Sequence, residues 1–231
     1  VKFRRLVPLL ALAGALATLV VPGGSSALAS STAPFRLRAE MLPGSCDLSF
    51  TDNGTVDFGV VRARDLSEST YTNLDFKRIT MNVTCGASTA VAVYATDDRK
   101  GTVAAGVGNF LYGNQNDSSM FGVGAVDGHN VGAYLIYRED TPSGNGASVR
   151  PIVSDNGGAS WAARNDQTNA LIPDTRLHSW AFMLDGAYPG AFKSITQVYK
   201  VKLGINKKSD LPPLTRDIPI DGLATFTIRY L

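Results

Sequence analysis

Residues that carry chemistry are scarce in this chain. Its 231 residues include two cysteines, two tryptophans and two histidines, and 18% are charged. With only His129 and His178, a histidine-rich metal centre is excluded. There is no Gly-x-Ser-x-Gly elbow, no His-Glu-x-x-His pair and no Gly-rich loop to cradle phosphate. Neither an enzyme nor a cofactor is expected. A lone histidine in a β-rich domain is ordinarily a surface or packed residue. The acidic pairs Asp97-Asp98 and Glu139-Asp140 read as solvated turn charges rather than acid–base or Ca²⁺ groups, and Lys207-Lys208 reads as a hydrophilic loop. Long apolar runs are missing beyond residue 29, so no second segment has the length of a membrane span. Internal repeats, heptads and helical stripes with caps are also lacking.

The first 29 residues are a different kind of sequence. Lys2, Arg4 and Arg5 precede an apolar run, Leu6 to Val21. Pro22-Gly23-Gly24 break that run, and Ala27-Leu28-Ala29 offers a small-x-small cleavage site. This is the pattern of a secretory signal, with cleavage expected after Ala29. The whole chain has 22 basic and 20 acidic residues. Three of the basic ones lie in the leader, which leaves residues 30–231 with a net charge of −1. Neither nucleic-acid binding nor attraction to an anionic membrane follows from that balance.

In an exported chain an even pair of cysteines reads as a disulfide, Cys46–Cys85, since Zn²⁺ would need further ligands. Closing a loop of about 40 residues stabilises by about 4 kcal/mol in the chain-entropy account.

What remains alternates like β-structure. In Ile218–Leu231 the even positions Ile220, Gly222, Ala224, Phe226, Ile228 and Tyr230 are apolar or glycine, and the odd ones are mostly polar. Asp221-Gly222 reads as a turn, which leaves Leu223 to Tyr230 as the strand. A second alternating run precedes Cys46: Ala33, Phe35, Leu37, Ala39 and Met41. Pro34 suits an edge strand or a strand start. Between them, Val56 to Val61, Ile79 to Cys85, Ala90 to Tyr94, Ala133 to Tyr137 and Gln197 to Ile205 follow strand patterns. Turns fall at residues 51–54, 114–117, 127–128, 143–146 and 156–158. Many short strands with frequent turns predict an all-β sandwich or barrel of one domain over residues 30–231, with an enlarged Gly-rich middle at about 100–195.

The order and spacing of these features resemble a known family. Cys46 follows an N-terminal strand, then comes Gly54-Thr55-Val56-Asp57-Phe58-Gly59-Val60, then a strand ending Val83-Thr84-Cys85. The chain closes on Ala224-Thr225-Phe226-Thr227-Ile228-Arg229-Tyr230-Leu231, with a penultimate tyrosine. The chain is similar to subunits of chaperone–usher pili, and more closely to the larger fimbrial-like secreted bacterial proteins of that superfamily. The match covers residues 33–95 and 198–231 and is poor in the middle.

The resemblance implies an immunoglobulin-like (pilin-type) β-sandwich that lacks its last strand. A periplasmic chaperone, and later a neighbouring subunit delivered through an usher, would supply that strand by β-augmentation. Ala224, Phe226, Ile228, Tyr230 and Leu231 would line the groove. Ala33 to Met41 would either donate a strand or form the first strand of the domain. The protein would pass through the periplasm to the cell surface, and could meet a host or surface receptor there.

A second reading is a monomeric secreted carbohydrate-binding sandwich. Its best residue is Trp161, in the turn Ser154-Asp155-Asn156-Gly157-Gly158-Ala159-Ser160-Trp161, which resembles a single Asp-box. The plainer view of that stretch is a β-hairpin turn with a packed tryptophan.

Overall fold

The computed structural model describes residues 35–39, 44–113, 116–139, 141–163 and 170–231. The chain divides into two units, Val1–Glu40 and Met41–Leu231. The leader and its expected cleavage site lie outside the described residues. In the first unit, residues 35–39 are irregular and exposed.

The second unit is almost entirely antiparallel β. In chain order its strands are β1 (Cys46–Phe50), β2 (Thr72–Asn73), β3 (Lys77–Asp97), β4 (Phe121–Gly122), β5 (Ala125–Val126), β6 (His129–Asn130) and β7 (Gly132–Arg138). There follow β8 (Ser143–Gly144), β9 (Ala147–Ser154), β10 (Ala162–Ala163), β11 (Leu177–Phe182), β12 (Ala191–Ile205) and β13 (Ala224–Tyr230). One sheet runs β1-β3-β12-β7-β4 and the other β13-β3-β11-β9-β10. The two face each other across a core that includes Met81, Val83, Val93, Trp180, Ile195, Tyr199 and Val201.

β3 belongs to both sheets. Its first half pairs with β1 and β12, and its second half with β13 and β11. The register against β12 jumps between Ser194↔Thr84 and Phe192↔Thr89. Four residues of β3, 85–88, therefore stand against Lys193 alone, and such a bulge bends a strand. The sequence predicts two strands here, Ile79 to Cys85 and Ala90 to Tyr94. They are one continuous strand with a corner in it. The alternation is nevertheless met: Ile79, Met81, Val83 and Cys85 are all buried. Along β12, Tyr199, Val201, Leu203 and Ile205 are likewise buried.

Two expectations are corrected. Val56–Val61 forms no strand, because Gly59 takes a φ of +70° and donates its N–H to the Asp57 carboxylate at 2.7 Å, a local turn that replaces ladder pairing. Val60 is 86% exposed in consequence. A short helix, α1 (Val107–Tyr112), also appears where none was expected. Its Val107 and Leu111 pack with Ala133 and Leu135 in a second apolar cluster, close against Gly204.

The Gly-rich middle is structural. It supplies α1 and all of β4 to β11, hence most of the second sheet.

Candidate functional site

β1 and β13 lie along the same side of β3, one in each sheet. Among the described residues each pairs with β3 alone, so the outer backbone edge of each is open. Opposite strand edges in a sandwich are ordinarily protected by a further strand, a loop or charge. Here the two strands touch through side chains. The Phe50 and Phe226 rings meet edge to face at 4.9 Å, and the Cys46 N–H donates to the Tyr230 hydroxyl at 2.9 Å.

Between the strands an apolar cavity of about 380 Å³ opens. Ile79, Ile136 and Val201 of the first sheet lie at its floor, with Phe50, Phe58 and Phe226 around it. Burial changes sharply across the sandwich. Met81 and Val93 are fully buried, whereas the inward residues of the two rim strands, Leu48, Phe50, Phe226 and Ile228, are only half-buried although they pack on the same core. Closing the site would bury the remainder, and fully burying a side chain of this size is worth about 1.5–3 kcal/mol. The lining carries no charged side chain. Burial, with a smaller contribution from Asp97, pushes the Tyr134 phenol well above its usual range, so that group also stays neutral. An uncharged trough flanked by open strand edges suits one more β-strand with apolar residues at alternate positions.

Of the residues the sequence assigns to this groove, Ala224 and Phe226 line the cavity. Ile228 packs against the core beyond it. Tyr230 and Leu231 sit past its end, Tyr230 bridging to β1 and the Leu231 N–H bonding the Ala90 carbonyl at 3.1 Å. Sequence reasoning did not place Phe58, Tyr134 or Val201 here, since they come from a loop and from the facing sheet.

Cys46 and Cys85 form a disulfide between residues that are direct cross-strand partners. It fastens rim strand β1 to β3 at the corner. Within the N-terminal run, Phe35, Leu37 and Ala39 make no strand, and Phe35 and Leu37 are 90% and 85% exposed. Ala33 and Met41 lie outside the described residues. The first strand of the second unit is therefore β1.

The remaining candidates have plain roles. Trp161 is half-buried at the end of the β9–β10 hairpin loop. The Ser154 hydroxyl accepts from the Gly158 N–H at 2.8 Å in that loop. Asp97 is not a solvated turn charge: it is buried at the end of β3 and accepts from the Arg99 and Gly122 N–H groups, while the exposed Asp98 accepts from the Thr225 hydroxyl. Glu139 pairs with Arg78 and Lys200, while Asp140 lies outside the described residues. Lys208 pairs with Glu68. No group of His, Cys, Asp or Glu among the described residues is arranged to hold a metal, and no helix among them is long and apolar enough to cross a membrane.

The fold and the opening thus define an all-β sandwich with two free strand edges on one side. A family described as "Protein of unknown function (DUF1120)" matches residues 35–135, which takes in β1, β3 and the start of β7. The chain is 26% identical over 141 residues to the uncharacterized protein YhcF of Escherichia coli (strain K12), covering 55% of this chain and 59% of that one. It is 25% identical over 232 residues to the protein GltF of the same strain, covering 83% and 85%.

Proposed function

We propose that this chain is an exported, non-catalytic subunit of a fimbria-like surface assembly, completed by a β-strand from another polypeptide. One observation carries the reading: an uncharged apolar trough lies between two strands that each have an unpaired backbone edge. A polypeptide left in that state is an aggregation hazard, so a partner strand must cover it. A periplasmic chaperone fills that need before assembly. A neighbouring subunit, delivered through an usher, fills it afterwards. The disulfide fits an oxidising compartment, and the leader-like N-terminus fits export. The exposed, alternating segment around Phe35 and Leu37 is the part of the chain available to donate in turn.

The experiment is expression of the mature chain in the periplasm with and without a chaperone encoded beside it. A subunit is recovered as a one-to-one complex and is lost to aggregation alone. A stable, soluble monomer in the absence of any chaperone would overturn the proposal and favour a self-contained binding module.

A further inference from the structure

β13 has two faces. Phe226 points into the apolar trough, while Thr227 and Arg229 alternate onto the outer side of the second sheet. A second cavity of about 400 Å³ lies on that outer side, bounded by Tyr94 and Thr227, which are direct cross-strand partners, and by Arg229, Gly157, Asp174 and Thr175. Its size falls within the range of small-molecule sites, about 300–1,000 Å³.

The charges around it do not cancel. Asp174 is held by Lys100 at 2.9 Å, and Asp155, two residues before Gly157, is held by Arg176 at 2.6 Å. The Arg229 side chain has no ion pair or hydrogen bond among the described residues, although it is part of the cavity wall. Gly157, held at a left-handed φ of +69°, lies beside it: a Cβ there would stand 4.0 Å from Arg229 Nη1, in ordinary contact. Asp174 adopts a left-handed φ of +64°, a conformation that costs energy in a residue other than glycine and recurs at binding sites. Tyr94 offers a partly exposed ring, and Thr175 and Thr227 offer hydroxyls. Next to the cavity, Gly158 lies between Leu177 and the Trp161 ring, each about 3.7 Å from where its Cβ would stand. The tryptophan turn singled out in the sequence therefore borders this site.

We propose that this outer cavity binds a carboxylate-bearing sugar, a uronic acid being the simplest. The Arg229 guanidinium takes the carboxylate in a two-pronged, charge-assisted contact. The Tyr94 ring lies under the apolar face of the pyranose. Thr175, Thr227 and Asp174 exchange hydrogen bonds with its hydroxyls. The site uses the opposite face of β13 from the trough, so it stands whether or not the strand-accepting reading holds.

The test is titration of the exported chain, recovered alone or with a strand-donating partner, with galacturonate and glucuronate, followed by NMR shifts or calorimetry. Galactose and glucose serve as the neutral counterparts. The acidic sugars should bind about ten- to a hundredfold more tightly than the neutral ones, with affinity falling as salt is raised. Arg229→Gln should remove that preference with no change in unfolding midpoint, since its side chain is solvent-exposed. Tyr94→Phe should retain binding, and Tyr94→Ala should weaken it. Equal binding of acidic and neutral sugars, no saturable binding of either uronate, or full binding by Arg229→Gln would each overturn the assignment. Failure of the groove reading would leave these outcomes unchanged.

Discussion

A neutral imidazole is the only form of His178 that the interior tolerates. Its ring is fully buried, and neither nitrogen has a well-aligned hydrogen bond. Burial first, then the Arg138 and Arg176 charges, hold its pKa well below the usual value, and the nearby Ala170 carbonyl offsets this only in part. The unfolded chain takes up a proton near pH 6.5, while the folded one resists until lower pH. Stability is therefore complete above about pH 6.5 and declines as the pH falls toward the folded pKa. Urea midpoints at pH 7.5 and 5.5 should show that loss, and His178→Gln should flatten it. An unchanged slope in the variant would contradict the account. A second residue-scale expectation concerns Gly132. A Cβ there would stand 2.2 Å from the Gly204 carbonyl oxygen, and backbone cannot swing aside as a side-chain tip can. Gly132→Ala should cost about 1–3 kcal/mol, read as a lower denaturation midpoint.

Among the elements, the disulfide has the clearest consequence. It joins β1 to β3 across 39 residues of sequence. Cys46→Ser with Cys85→Ser should lower stability by about 4 kcal/mol, and β1 should lose amide-exchange protection before β12 does. Comparable protection of both strands in the reduced chain would show that β1 is held by packing alone.

Elements also show where sequence reading works. β12 and β13 were legible because one face of each is apolar and the other polar. β11 was not: Leu177 to Ala181 are all buried, so no alternation survives. β9 was masked by Pro151, which argues against an interior strand, and by its run of buried residues Pro151 to Ser154. Val56–Val61 misled in the opposite direction, alternating convincingly until Gly59 turns the chain.

For the whole molecule, the proposed function predicts how the side of the sandwich with the two open edges behaves in solution. Residues 30–231 without a partner should bind a hydrophobic dye and aggregate. A peptide with the sequence of residues 33–41 should suppress both, raising the melting temperature with concentration, as binding only to the folded form requires. Phe226→Asp should abolish that rise. A peptide-independent melting temperature would count against the trough as a strand acceptor. At this scale the sequence showed one rim and hid the other parts. Ala224 and Phe226 follow from alternation in β13, whereas Phe58, Tyr134 and Val201 meet them only because separate segments converge across the core. Nor does any local pattern bring Arg229, Tyr94 and Asp174 together: the β13–β3 register sets Thr227 against Tyr94 and Arg229 against Ala92, and the Asp174 N–H reaches the Ala95 carbonyl from a separate turn.

The corner in β3 has a mechanical meaning. Both walls of the opening are laced to that one strand, so under the proposed strand complementation a pull on the guest would enter through one ladder and leave through the other along a single continuous backbone. Residues 85–88 are where that load changes direction, and the covalent tie at Cys85 is placed to keep the gap from springing wider under tension.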